Sequence, residues 1–186
     1  MTKYEREYPL FSLCGLNCGL CPRYQTKSES KCCGCGGHDF HFKHPACAVI
    51  TCNRKNDKVE YCFQCSLFPC KRYRSPSSRD SFISYYNVIA DLEKASKYGV
   101  EQYIIELNEK VNILEFLINN YDDGRRKNFY CIAVNLLELQ DLRDIITEIK
   151  QCTNGKNIDF KENIKKIIQL FETTASKKNI IIKLRK

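Results

Sequence analysis

Residues 14–21 read "CGLNCGLC". The spacing is C-x3-C-x2-C. Three thiolates so placed suit a 4Fe–4S cluster, and they equally suit the opening of a zinc module. The two readings demand different folds. Radical chemistry at an iron–sulfur centre needs a partial barrel of alternating strands and helices downstream. A zinc module needs only further cysteines close by.

Further cysteines are close by. The chain has 186 residues, enough for one ordinary domain or two small ones. It carries 13 Cys, of which eleven lie in residues 1–70, leaving Cys131 and Cys152 beyond. The C-x2-C spacing occurs three times, at Cys18/Cys21, Cys32/Cys35 and Cys62/Cys65. Cys14, Cys47, Cys52 and Cys70 surround these pairs, and Cys33 is a spare. In such a knuckle both sulfurs point at one ion, while backbone N–H groups bond the thiolates. Zinc takes four ligands, so the ten well-spaced thiols fill two sites and leave two over. A third ion would draw on His38, His41 and His44, which precede Cys47 in "HDFHFKHPAC". Two or three Zn2+ ions are therefore expected, as closed structural staples, with a 4Fe–4S cluster as the alternative.

Metal is preferred to disulfides because nothing in the chain points to export. The first residues, "MTKYEREYPLFSLCGLNCGL", carry charges at 3, 5, 6 and 7 and no apolar run. No export leader is expected, nor any membrane span, so a cytoplasmic setting that keeps thiols reduced is expected.

The formal charge of +8 is uneven. Residues 1–79 hold 13 Lys and Arg against 6 Asp and Glu, a net +7, and the remainder holds +1. Basic "CPRYQTK" and "CKRYR" interleave aromatics with cations, as nucleic-acid surfaces do. Eight thiolates on two Zn2+ would bring a net charge of about −4, however, which accounts for much of that excess.

Patterning divides the chain into a cysteine-rich module, 1–75, and a helical domain, 76–186, which could also behave as one cooperative unit. The module has Gly at 15, 19, 34, 36 and 37, Pro at 9, 22, 45 and 69, and only short apolar runs. That is loop-and-knuckle composition, which buries little apolar surface and would draw its folding free energy from metal. "KRYRSPSSRDS", 71–81, reads as a linker followed by a helix start. Beyond it, Phe82, Ile83, Tyr86, Ile89 and Leu92 share one helical face, which Gly99 ends. Val100 through Tyr121 repeats apolar residues at 3-and-4 spacing for about six turns, and "DDG" stops it. A third stretch runs from Lys127 to Ile149, kinked or broken near 138–140. "CTNGKN" is a turn. Phe160, Ile164, Ile167, Ile168 and Phe171 mark a last helix, and "NIIIKLR" reads as an edge strand or a helical tail. The expected fold is mainly α: a small, irregular, metal-stapled N-terminal module followed by a helical bundle. Nothing after residue 80 alternates strand and helix, which removes the barrel that radical chemistry would need.

"CGLNCGLCPRY" at 14–24, "CCGC" at 32–35, the Cys47/Cys52 pair and "YCFQCSLFPCKRY" at 61–73 resemble an uncharacterised cysteine-rich family. It is a domain of unknown function regarded as zinc-binding. Its members open C-G-L-x-C-x-x-C-P and close F/Y-C-x-x-C-x-x-F-P-C. "DDGRRKNFYCIAVNLLELQDLR", 122–143, is similar to the segment beyond the cysteines in longer members. The resemblance implies metal-ligand positions at Cys14, Cys18, Cys21, Cys32, Cys35, Cys47, Cys52, Cys62, Cys65 and Cys70. It implies no activity.

A second candidate site is "DDGRRKNFYC". A helix starting near Lys127 would present N–H groups beside Arg125, Arg126 and Lys127, which suits a phosphate or carboxylate. Cys131 reads as a small core residue. H-E-x-x-H, G-x-S-x-G, a phosphate loop and the zinc-deaminase pattern are all missing. The leading expectation is a zinc-binding protein with structural metal that binds a protein or a small anionic ligand. An iron–sulfur or open-site zinc enzyme, and a nucleic-acid-binding protein, are the alternatives.

Overall fold

The structure is a computed structural model that describes residues 4–74, 79–153 and 159–186. Its α-helices are α1 (Phe40–Lys43), α2 (Ala48–Lys55), α3 (Lys71–Arg74) and α4 (Val88–Tyr98), then α5 (Val100–Tyr121), α6 (Lys127–Leu136), α7 (Leu139–Thr153) and α8 (Phe160–Lys177). Single 3-10 turns form at Cys18–Leu20 and Cys62–Gln64. Among the described residues there is no strand, and one isolated bridge pairs Phe11 with Asn17. The protein is mainly helical, with an irregular N-terminal region before a bundle.

The bundle is organised around α5. Its buried residues, Tyr103, Ile104, Leu107, Val111, Leu114 and Leu117, follow the 3-and-4 spacing of one helix face. Each such side chain withdrawn from water contributes roughly 1.5–3 kcal/mol. α4, α6 and α7 pack on α5, and α8 packs on α7. Asp159 starts α8 by accepting hydrogen bonds from the Lys161 and Glu162 N–H groups.

The same core takes in the N-terminal region. Phe11, Leu20, Tyr61 and Tyr73 belong to one apolar cluster with Leu92, Leu107, Leu114 and Phe171. The Cys18–Leu20 turn packs on α5 and α6, and the Cys62–Gln64 turn packs on α4. Leu13, Cys35, Phe40 and Ile50 form a small separate cluster inside the N-terminal region.

Three local expectations are corrected. The helix expected from Phe82 starts only at Val88. Upstream, side chains take the backbone donors that a helix would use: Tyr85 N–H bonds Asp80 Oδ1 at 2.9 Å, and Tyr86 N–H bonds Ser84 Oγ at 3.2 Å. Phe82 and Tyr86 are therefore exposed, while Ile83 is buried. The stretch from Lys127 divides slightly earlier than expected, at Leu137, whose extended backbone ends α6. The tail after α8 is neither strand nor helix. Asn179 turns it at φ +56°, and Arg185 anchors it on Asp80. Of the turn expected at "CTNGKN", Cys152 and Thr153 instead end α7, and residues 154–157, like the turn residues expected at 75–78, lie outside the described residues.

Candidate metal centre and adjoining cleft

Local backbone bonds shape the knuckles. In "CGLNCGLC" the Ser12 N–H bonds the Leu16 carbonyl at 2.9 Å, and the Leu16 N–H bonds Ser12 Oγ at 2.7 Å. Gly15 takes φ +89°, open to glycine and costly to other residues. The Cys21 N–H then bonds the Cys18 carbonyl at 3.1 Å, and the Cys65 N–H bonds the Cys62 carbonyl at the same 3.1 Å. Two of the three C-x2-C pairs thus share one turn geometry. The third, Cys32/Cys35, is shaped differently: Gly34 and Gly36 have φ of +80° and +75°, and the Cys35 N–H bonds the Pro9 carbonyl at 2.8 Å.

All thirteen thiols are unbridged. Their charges interact in two groups. Cys18 is held well above the ordinary thiol range, first by burial and then by Cys35, Cys14, Cys21 and Cys32. Burial and the neighbouring Cys14, Cys70 and Cys65 push Cys62 up to about 11, against a hydrogen bond from Tyr73. Cys52, Cys62, Cys65 and Cys70 line one small cavity of about 40 Å³. Cys14 touches both groups electrostatically, and Cys47 raises its thiol after burial has done so. Among the described residues, no three His, Cys, Asp or Glu side chains converge closely enough to hold one ion. The cysteines expected as ligands are gathered into neighbourhoods rather than drawn into a tetrahedron.

The donor set fits a soft divalent cation. Cys18, Cys21 and Cys62 resist ionisation because burial, and then neighbouring thiols, oppose their negative charge. A cation between them would reverse both effects. A buried guanidinium already stands on one side. Arg6 has a side chain only 1% exposed, donates to the Phe11 carbonyl at 3.2 Å and pairs with Glu60 Oε1 at 3.2 Å. It also lies over the Tyr61 ring at 4.5 Å, and although burial opposes its charge, neighbouring Cys35, Tyr4 and Glu60 outweigh burial and hold its pKa above the ordinary value. Its Nε finds no hydrogen-bond partner among the described residues. A buried cation with a spare donor suits a neighbour that carries thiolate charge.

The histidines separate. His38 is exposed and pairs with Asp39 at 3.1 Å, and His41 is exposed. His44 stacks on Phe40 with centroids 4.7 Å apart and lines a cleft that Cys14, Cys18, Cys35 and Cys47 also line. Cys33 sits beside the first group, where burial and then Cys32 raise its thiol, and it donates to the Gly34 carbonyl at 3.5 Å. Cys131 is buried in α6, where burial and then Cys21 push it up to about 12. Cys152 is exposed near the end of α7.

The cleft has a volume of about 710 Å³ and runs between the cysteines and α4. Val88 and Ile89 form the helix wall, and Arg72, Arg79 and Arg185 line it as cations. Arg185 is joined to Asp80 at 2.7 Å. Burial pushes the Asp80 carboxyl up, but bonds from Arg185 and the Tyr85 N–H outweigh this and hold it below the ordinary range.

The expected anion cradle at Arg125, Arg126 and Lys127 is filled from within. Asp122 Oδ1 accepts the Gly124 and Arg126 N–H groups at 3.0 and 2.8 Å, and Asp123 Oδ1 accepts the Arg125 N–H at 3.0 Å. Lys127 Nζ reaches Thr26 Oγ1 at 3.3 Å, which ties this turn to the N-terminal region. Two adjacent carboxylates ahead of a helix were the signal that the chain supplies its own anions here.

Sequence reading missed Arg6, Asn17 and Tyr73. Tyr73 is buried, donates to the Cys14 carbonyl at 3.2 Å and hydrogen-bonds Cys62. A lone Arg or Tyr near cysteines carries no spacing signal. Asn17 was legible only as a residue inside the motif.

A family model described as a protein of unknown function (DUF3795) matches residues 10–75. The likeness thus covers the cysteine-rich region. No curated protein and no solved structure matches the chain.

Proposed function

We infer that the chain is a zinc-dependent binding protein whose metal is structural and whose cleft takes a small ligand. The observation that carries this is the collection of Cys52, Cys62, Cys65 and Cys70 around one cavity of about 40 Å³. One ion would be held there. A second would be held by Cys18, Cys21, Cys32 and Cys35, the two C-x2-C pairs whose charges meet at Cys18. Zinc would supply the positive charge that lets four neighbouring thiolates coexist. Arg6 would balance the thiolate excess beside Cys35. Cys14 and Cys47 would be left on the cleft wall with His44. Thirteen unbridged thiols suit a reducing compartment such as the cytoplasm.

The cleft supports a ligand with an apolar body and an acidic group. Its volume of about 710 Å³ is of the size that encloses small molecules. Val88 and Ile89 would meet the apolar part, and Arg72 would meet the acid.

Metal content of protein purified without oxygen, read with the absorption spectrum of the same sample, tests the reading. About two zinc per chain and no visible band are expected. Iron with sulfide and a broad visible band would overturn it in favour of a cluster.

A further inference from the structure

The eight residues that carry three thiols also dock the N-terminal region on the bundle. In "CGLNCGLC" the other residues turn toward the helices. A Cβ on Gly15 would meet Leu92 Cγ at 2.6 Å and the Val88 carbonyl at 2.9 Å, both on α4. A Cβ on Gly19 would meet Val111 Cγ2 on α5 at 2.9 Å. Leu20 is buried in the main core.

Asn17 is buried too, at 2% exposure. Its Nδ2 donates to Asp91 Oδ2 on α4 at 3.0 Å and to Asn135 Oδ1 on α6 at 3.3 Å. Its Oδ1 accepts from the Tyr103 hydroxyl on α5 at 2.9 Å. Asn135 passes the network on, donating to the Ser84 carbonyl at 3.3 Å, while Asn87 bonds the Asn135 carbonyl at 3.0 Å. One amide therefore bonds three helices. It cannot withdraw without stripping partners from a half-buried carboxylate and a buried phenol. It also sits immediately before Cys18 and three residues after Cys14.

We propose that Asn17 is a positioning residue for the metal centre, through which metal occupancy and the packing of α4, α5 and α6 are coupled. The proposal rests on the zinc reading above. The coupling is reciprocal: if zinc holds the motif in the shape that docks, docking raises zinc affinity by the same factor. Partners that orient metal ligands from outside typically contribute about 10–100-fold in affinity. Because α4 also forms one wall of the cleft, zinc would set the cleft's width as well.

The test is zinc affinity by chelator competition on the full chain, for wild type, Asn17→Ala, Tyr103→Phe and a control, Ile167→Ala on α8. Asn17→Ala is expected to weaken zinc about 10-fold. Tyr103→Phe removes one donor, keeps the ring against Phe11 at 4.4 Å, and is expected to weaken zinc about 3-fold if Asn17→Ala does not fold. Ile167→Ala lowers the melting temperature through the core and leaves zinc affinity within about 2-fold. Amide hydrogen exchange supplies the second readout, with zinc removal deprotecting α4–α6 in wild type. Full zinc content with wild-type affinity in both Asn17→Ala and Tyr103→Phe would overturn the coupling alone. A chain that takes up no zinc would overturn the metal reading and the coupling together.

Discussion

The N-terminal region and the bundle reach order by different means. In the bundle, apolar residues recur at helical spacing, and α5 buries six of them along one face. In the N-terminal region the backbone is bent by Gly15, Gly34 and Gly36 at positive φ, and the space between the bends is filled by thiols. Apolar burial is non-directional and tolerates small shifts. Thiol groups around an ion do not, because ligand distances are set within a few tenths of an ångström. The comparison teaches that the bundle draws its stability from area and that the N-terminal region, on the zinc reading proposed above, would draw it from ligand geometry, while the two meet in one core through Phe11, Leu20, Tyr61 and Tyr73.

Removing zinc is expected to have the largest effect on that comparison. With a shared core, chelation lowers the melting temperature of the whole chain by about 10 °C or more, while the far-UV helix signal at low temperature is mostly retained. Calorimetry and circular dichroism on loaded and stripped protein check this. Two independent transitions in the loaded chain would separate the regions at residue 76 and break the comparison.

A smaller effect distinguishes two glycines of like strain. Gly15 has φ +89° and no room for a Cβ, whereas Gly124 has φ +86° and nothing within 4 Å. Gly15→Ala is expected to cost about 2–4 kcal/mol and Gly124→Ala about 1 kcal/mol in urea unfolding. Equal costs would mean that docking adds nothing to backbone strain.

The smallest expected effect is a pH dependence in the polar network. Burial pushes the Asp91 carboxyl up to about 6, against Lys110, Tyr103 and Asn17, which favour its charge, and with Glu138, which opposes it. The folded value lies above the unfolded one, so the folded state holds the proton longer. Stability contributed at Asp91 is present below pH 4 and is lost as pH rises to about 6. Relative to Asp91→Asn, wild type should lose stability between about pH 4 and about pH 6 in urea melts. A flat difference would mean that Lys110 and the amides already compensate the charge.

Much of the bundle was legible in the sequence because periodicity is local. The stretch from Val100 to Tyr121 is bounded by Gly99 and by "DDG", and α5 spans those residues. The start of α4 was illegible because Asp80 and Ser84 compete for its N–H groups, and Asp80 is held in place by Arg185, 105 residues away. Of the candidate site, the cysteine positions were readable from spacing. Their grouping was not, since Cys18 meets Cys32 and Cys35 only through a chain reversal, and Cys52 joins Cys62, Cys65 and Cys70 across a loop.

By itself, then, the sequence determined the mainly helical fold class, the concentration of thiols before residue 71 and the helix that organises the core, because spacing along the chain carries all three. Only the tertiary structure decided that Asn17 and Arg6 are buried, that the arginine turn at 125–127 is filled by its own aspartates, and that a cleft opens beside Cys14 and Cys47. Those outcomes depend on which groups meet after folding, and a buried polar side chain must find its partners wherever the fold brings them.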